Sequence, residues 1–196
     1  LEEVREVAFE KSTLESEYYV YAQGKVLLST DNIADAVSVA NEAMGVVLDK
    51  NQQYVWKRSR KTMQTAYKDM IVGDEDKGAS SIAQSINAML EREGINISVS
   101  ALLEQGETPK EILKNTMRDV RVLDLTGCTV DDVLYYVSNG ATVFVMTDVN
   151  EAALIIGYDA SHITIYDPVK KITYRKNIED ADLIFENAGS IFITYL

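Results

Sequence analysis

Three short apolar segments near the C-terminus constrain the fold more than any other part of the sequence. Residues 151–158 read EAALIIGY, residues 162–166 read HITIY, and residues 171–175 read KITYR. These segments are rich in β-branched and aromatic side chains, and the turn signals Gly-Tyr-Asp and Asp-Pro separate them. The pattern predicts consecutive β-strands joined by tight turns, and therefore a mainly antiparallel sheet.

Helical patterns precede these strands. Four apolar residues recur at helical spacing before Gly94 and predict a buried core helix: Ile82, Ile86, Met89 and Leu90. A capping-box pattern at residues 108–111 and a capping residue at Thr129 predict two further helix starts. Helices followed by antiparallel strands are typical of an α+β fold.

The N-terminal part of the sequence has a different organisation. Residues 1–16 predict a connecting helix, and residues 17–58 predict a small ββαββ domain with hairpins around Gly24 and Asn51. The polar residues 59–76 show weak periodicity and are predicted to be a linker. The α+β domain is then predicted to span residues 77–196.

Composition narrows the function classes. The 196 residues include 31 acidic and 19 basic side chains, for a net charge of -12, which disfavours nucleic acid and anionic membrane surfaces as partners. One cysteine and one histidine exclude an internal disulfide framework and multi-cysteine metal sites, so no cofactor is expected. No apolar run approaches the roughly 20 residues of a membrane helix. Because the sequence starts at Leu1, we expect a piece of a longer protein, with membrane attachment only through an anchor that has been removed.

Three motifs resemble one peptidase family. The stretches KGASSIAQSI, EAALIIGYD and YDP resemble the CG.ASLAM.L, HAVLIVGYD and YDP stretches of bacteriocin-processing-type C39 and C39-like peptidases. The resemblance covers about residues 74 to 196. It implies a papain-like α+β domain with a mainly antiparallel sheet, preceded here by the small ββαββ domain.

The catalytic positions of that family carry different residues in this sequence. The resemblance puts the cysteine at Lys77, or at Ala79 if the helix is shifted by two residues, and the histidine at Glu151. Only the aspartate is retained, as Asp167. The glutamine of the oxyanion hole falls near Ile71 or Gly73. Ala79 is compatible with an engineered cysteine-to-alanine change, but Glu151 favours a natural loss of function.

The resemblance therefore implies a catalytically degenerate member with no catalytic residue. We expect a vestigial cleft formed by seven residues: Lys77, Gly78, Ala79, Ser80, Ser81, Glu151 and Asp167. A specific hypothesis is an ion pair between Lys77 and Glu151 across this cleft, which would contribute about 0–1 kcal/mol.

Other chemistry is less favoured by the residues. A Cys128–His162 dyad is disfavoured because strand alternation points His162 away from the face of Asp167. A Lys77–Ser81 dyad is disfavoured because the preceding acidic residues favour a protonated lysine. Two acidic groups, Asp148 with Glu151 and residues 179–182, lack the spacing of a calcium loop and are interpreted as solvated faces.

Three functions follow from this interpretation. The first is a peptide-binding or protein-binding scaffold within a larger extracytoplasmic bacterial protein, either secreted or on the cell surface. The alternative is an active hydrolase with a rearranged nucleophile, Cys128, Ser80 or Ser81. The third is a structural spacer. Eleven tyrosines, most of them predicted in strands, suit core packing, and they also suit a surface for extended peptides or glycans.

Overall fold

The computed structural model describes residues 16–66 and 78–196. These residues form two compact units that divide between Arg60 and Lys61. The connecting helix predicted over residues 1–16 falls almost entirely outside the described residues, as does Lys77. No helix in the described part of the chain is long and apolar enough to span a membrane.

The first unit is a four-stranded antiparallel sheet with one helix. Its elements in chain order are β1 Tyr18–Ala22, β2 Lys25–Thr30, α1 Ile33–Glu42, β3 Val46–Asp49 and β4 Tyr54–Lys57. The spatial order of the strands is β2-β1-β3-β4. The side chain of Asn32 caps α1 by accepting hydrogen bonds from the amides of Ala34 and Asp35, and the apolar stripe of α1 is buried.

The second unit combines five helices with a six-stranded sheet. Its helices are α2 Ser81–Arg92, α3 Val99–Glu104, α4 Pro109–Thr116, α5 Val130–Ser138 and α6 Ile178–Asn187. Its strands are β5 Val122–Asp124, β6 Val143–Asp148, β7 Glu151–Tyr158, β8 His162–Asp167, β9 Ile172–Asn177 and β10 Phe192–Tyr195. The strand order is β5-β10-β6-β7-β8-β9, and every pair is antiparallel. The predicted α+β fold is confirmed.

Local sequence signals set the starts of the helices. Thr108 and Glu111 form a reciprocal capping box at α4, and Thr129 and Asp132 form one at α5. At α2 the Ser80 hydroxyl accepts a hydrogen bond from the Ala83 amide at 3.2 Å. These bonds satisfy amide groups that have no partner within the helix. The N-caps predicted from the sequence at residues 108 and 129 are confirmed.

The core of the second unit lies around β7. Residues 152–158 are all buried, and α2 packs against this strand while α6 packs against β6. In α2 the predicted core residues Ile86, Met89 and Leu90 are completely buried, whereas Ile82, the fourth predicted residue, is only half-buried. Burial of these side chains is the main favourable term in the folding of this unit.

A short segment, residues 61–66, packs across one end of β7. Gln64 and Tyr158 exchange two backbone hydrogen bonds, of 2.9 Å and 3.0 Å, and the Tyr158 hydroxyl donates to the Lys61 carbonyl at 2.6 Å. Gly157 permits this approach, because a Cβ there would lie 2.8 Å from the Ala66 nitrogen. Residues 61–66, which the sequence predicts to be part of a linker, therefore belong to the second unit and join its sheet through a single isolated bridge. The other domain boundaries stay predictions.

Candidate functional site

A cleft lies at the N-terminal end of α2. It has a volume of about 510 Å³, and its walls come from the helix start, the β6–β7 turn, and the ends of β8 and β9 that adjoin it. The antiparallel register pairs Leu154 with Tyr166, so the start of β7 lies beside the end of β8. Residues that are distant in sequence therefore meet at one end of the sheet.

The structure brings most of the predicted cleft residues together. Ala79, Ser80, Ser81, Glu151 and Asp167 all line the cleft. Gly78 lies in the turn before the helix, at a φ of +90°. Three predicted residues lie outside the described residues: Lys77, and Ile71 and Gly73 of the predicted oxyanion position. The Lys77–Glu151 ion pair therefore stays a prediction.

The two serines stabilise the start of α2, Ser81 through a contact with the sheet and Ser80 as the helix cap. The Ser81 hydroxyl accepts a hydrogen bond of 3.0 Å from the Ala152 amide, which fixes the start of β7 against the start of α2. The Ser80 hydroxyl caps the helix, and the Gln84 side chain donates to the Ala79 carbonyl at 2.7 Å. Both hydroxyl oxygens therefore accept hydrogen bonds from backbone amides that hold the local structure.

Asp167 closes the turn between β8 and β9. One carboxylate oxygen accepts from the Val169 amide at 3.1 Å and the Lys170 amide at 3.0 Å, and the other accepts from the Lys170 ammonium at 2.9 Å. Burial raises the pKa of Asp167, but the bonds from Lys170, the ammonium charge and the Val169 amide outweigh it, so the pKa is lowered overall. The aspartate that would orient a histidine is paired with a lysine of its own turn.

Lys170 is a charged residue of the cleft that was not among the seven predicted from the sequence. Its hydrogen bond and ion pair with Asp167 raise its pKa, and the nearby charges of Tyr174 and Glu151 add to this. The side chain is therefore a cation at neutral pH and is not available as a general base. The signal was present in the sequence, because a lysine three residues after the aspartate of YDP is placed to fold back onto it.

Acidic and apolar side chains share the surroundings of the cleft. Asp148 and Glu151 line it and are exposed. Three exposed hydrophobic side chains lie at the same end of the sheet: Val149, Val169 and Ile172, which are 77%, 51% and 47% exposed. The polar lining thus has an apolar border.

Cys128 and His162 are not at the cleft. Cys128 is 5% exposed in the turn before α5, and burial raises its thiol pKa far above the usual range, with the charges of Asp132 and Asp124 adding to the effect. His162 begins β8, where its ring contacts the Ser161 hydroxyl at 2.8 Å. The regular pairing of β8 puts His162 and Asp167 on opposite faces, about 17 Å apart along the strand.

The two acidic groups differ from the sequence interpretation in one respect. The described residues contain no group of three acidic, histidine or cysteine side chains that could hold a metal ion. Glu179 and Asp180 are exposed, as expected for a solvated face. Asp182 is an exception, because its carboxylate accepts a hydrogen bond of 2.8 Å from the Val130 amide at the start of α5. Its role is to cap a neighbouring helix.

Comparison with known proteins shows the fold. No family model and no curated protein sequence matches the chain. The crystal structure of a predicted C39-like peptidase from Bacillus anthracis is similar, with a TM-score of 0.51 and 16% sequence identity. The similarity covers 67% of this chain and 94% of that one. The matched two thirds of the chain thus have the fold of a C39-like peptidase, as the motifs predict.

Proposed function

We propose that the second unit is a catalytically inactive C39-like domain, a pseudo-peptidase, that binds a peptide or protein segment in its cleft. The cleft itself carries this proposal. The start of α2, the start of β7 and Asp167 come together there. The sequence has one thiol, Cys128, and one imidazole, His162, and neither lines the cleft. The attacking thiolate and its base are both missing from the place where the fold would use them.

The contacts of the remaining groups support the same proposal. Ser80 and Ser81 accept hydrogen bonds from the amides of Ala83 and Ala152. A serine nucleophile needs a base within hydrogen-bond reach. In the described lining Lys170 is kept protonated by Asp167, and the hydrogen bonds described for Ser80 and Ser81 go to backbone amides and not to a carboxylate. Burial of Cys128 keeps its thiol protonated at neutral pH. The alternative of an active hydrolase therefore finds little support.

A preserved groove favours binding over a purely structural role. The volume of about 510 Å³ falls within the roughly 300–1,000 Å³ of ligand sites. A spacer has no need of such a groove, and packing would be expected to fill it. Because the chain carries a net charge of -12, we propose a peptide or protein partner and not a nucleic acid.

The wider setting is part of the proposal. We place the domain in a larger extracytoplasmic bacterial protein, because proteins of the C39-like families are often extracytoplasmic. The organism of the similar structure, Bacillus anthracis, agrees with a bacterial setting. The measurement is cell fractionation of the native host with an antibody against this domain, and recovery only from the cytosol would contradict the assignment.

A combined cleavage and binding experiment tests the function. The protein is incubated with a mixture of quenched fluorescent peptides, the products are analysed by mass spectrometry, and a fluorophosphonate and iodoacetamide are applied to detect a reactive serine or thiol. We expect no cleavage and no rapid labelling at pH 7. Peptides should instead shift the NMR signals of the Glu151 and Ala152 amides.

Active-site variants decide between the alternatives. Cleavage that disappears in Ser80→Ala, Ser81→Ala or Cys128→Ala, while it persists in Ser161→Ala, would contradict the pseudo-peptidase proposal. Ser161 serves as the control because it lies in the turn before β8, away from the cleft lining. Circular dichroism of each variant separates lost chemistry from lost folding.

A further inference from the structure

We propose that the cleft receives an arginine or lysine side chain presented by a peptide segment of a partner protein. The inference rests on the proposed binding function and deepens it by naming the chemistry of the ligand. It follows from the excess of acidic over basic side chains among the described residues of the lining and from the apolar side chains at its border.

The described lining carries an excess of negative charge. Asp167 and Lys170 form an internal pair at 2.9 Å, so their charges compensate each other. Asp148 and Glu151 add two further carboxylates. Neither forms an ion pair with another described residue of the lining, and the Lys170 ammonium, on which the charge of Glu151 also acts, is already paired with Asp167. Two exposed carboxylates at one groove are complementary to a cationic group.

The apolar border of the cleft is complementary to the aliphatic part of an arginine or lysine side chain. Val169 lines the groove, and Val149 lies between two residues that line it. Both are exposed, at 51% and 77%. Lysine and arginine carry aliphatic stems that pack on apolar surface while the charged end stays among polar groups. Valines beside carboxylates thus match both parts of a basic side chain.

An anionic ligand fits the same groove less well. The N-terminus of α2 offers amide groups, but the Ala83 amide is already bonded to the Ser80 hydroxyl and the Gln84 amide to the Ser80 carbonyl. Asp148 and Glu151 would repel an anion. The net charge of -12 also attracts cationic partners and repels anionic ones during encounter.

The test compares two peptides of nearly the same shape. Acetyl-Ala-Ala-Arg-Ala-Ala-amide and its citrulline counterpart, in which a neutral urea replaces the guanidinium, are titrated into the whole labelled chain. We expect the arginine peptide to shift the Glu151 and Ala152 amides and to bind about two- to five-fold more tightly than the citrulline peptide. The difference should shrink at high salt, because salt screens exposed charges.

Matched variants locate the effect. Glu151→Gln and Asp148→Asn should each reduce the preference for arginine. Glu179→Gln removes the same charge from an exposed position on α6, outside the cleft lining, and should leave the preference unchanged. Val169→Ser should weaken the binding of both peptides equally, since it removes an apolar contact and no charge.

The outcomes separate this inference from the proposed function. Equal binding of the arginine and citrulline peptides at the cleft overturns the inference and leaves the binding function standing. Absence of any shift with either peptide also overturns the inference. If acidic and apolar peptides of the same length then give no shift either, the proposed binding function fails as well.

Discussion

The turns at the two ends of β8 are stabilised by an aspartate in the same way, although their surroundings differ. At one end Asp159 accepts from the amides of Ser161 and His162 and pairs with Arg175. At the other end Asp167 accepts from two turn amides and pairs with Lys170. In both cases one carboxylate oxygen takes two amides and the other takes a cation.

The surroundings differ because a backbone segment crosses the sheet beside one end, here called the covered end, whereas a cleft adjoins the other, here called the open end. The carboxylates do not follow this difference, since the Asp159 side chain is 33% exposed and that of Asp167 is 18% exposed. Two residues before Asp159, the backbone of residues 64–66 crosses Gly157 and bonds to Tyr158. Asp167 instead faces the cleft. The aspartate of YDP can therefore be required only for the hydrogen bonds of its own turn, as Asp159 is at the other end. Its retention therefore carries no implication of retained catalysis.

The largest expected effect is at the covered end. Gly157→Ala places a Cβ 2.8 Å from the Ala66 nitrogen and 2.9 Å from the Gln64 carbonyl oxygen. Because both neighbours are backbone atoms, the segment must move, and we expect a loss of about 1–3 kcal/mol in the free energy of unfolding. Urea denaturation measures this loss, and hydrogen exchange should show faster exchange of the Gln64 amide.

Gly106→Ala is the matched control for that change. Gly106 has a φ of +91° and open space around its Cα, so alanine there costs about 1–2 kcal/mol of backbone strain without any clash. The Gln64 amide should exchange as in the unchanged protein. Unchanged exchange of Gln64 in Gly157→Ala would show that the covered end does not depend on the glycine.

The next effect is at the open end. Asp167→Ala removes three hydrogen bonds from the β8–β9 turn, and we expect a loss of about 1–2 kcal/mol, measured by urea denaturation. Asp167→Asn should lose less, because its carbonyl oxygen still accepts from the turn amides. Asp159→Ala provides the comparison at the other end. A destabilised Asp159→Ala beside an unchanged Asp167→Ala would break the equivalence of the two turns.

Acid should weaken both turns. The amide of Ser161 is the main cause that lowers the pKa of Asp159, and at Asp167 the bonds from Lys170 outweigh the effect of burial. A carboxylate with a lowered folded-state pKa stabilises the fold above its unfolded pKa of about 3.9, and this stability is lost as pH falls through the folded value. Urea denaturation at pH 6 and pH 3 should show a smaller acid loss in Asp167→Asn than in the unchanged protein. An equal loss of stability in the two proteins would mean that other carboxylates cause the acid sensitivity.

The smallest effect should come from Lys170. Lys170→Gln removes the cation from Asp167, so the pKa of Asp167 should rise toward its usual value, as measured by carbon NMR of the carboxyl group. The melting temperature should hardly change, because the Lys170 side chain is 70% exposed. Lys171→Gln, at the next exposed position, is the control and should leave the Asp167 titration as it was. A large change in melting temperature would mean that Lys170 supports more than its turn.

Local signals predicted much of the fold. The apolar stripe of α2, the caps at Thr108 and Thr129, and the closely spaced strands 151–158 and 162–167 depend on neighbours in sequence, and the structure contains all of them. Five of the seven residues that the motif resemblance assigns to a vestigial cleft line one cleft in the structure. The part played by residues 61–66 was not predicted, because one bridge between Gln64 and Tyr158 leaves no periodic pattern in the sequence.

The sequence by itself determined that the chain has a single cysteine and a single histidine, and it has a glutamate where the resemblance requires the histidine. It also determined the local elements, because capping and periodicity act over a few residues. Only the tertiary structure decided that Asp167 pairs with Lys170, that Ser81 holds Ala152, and that Cys128 is buried away from the cleft. These contacts depend on how the helices and the sheet pack. Packing brings together residues that are distant in sequence, and no local sequence pattern predicts which of them will meet.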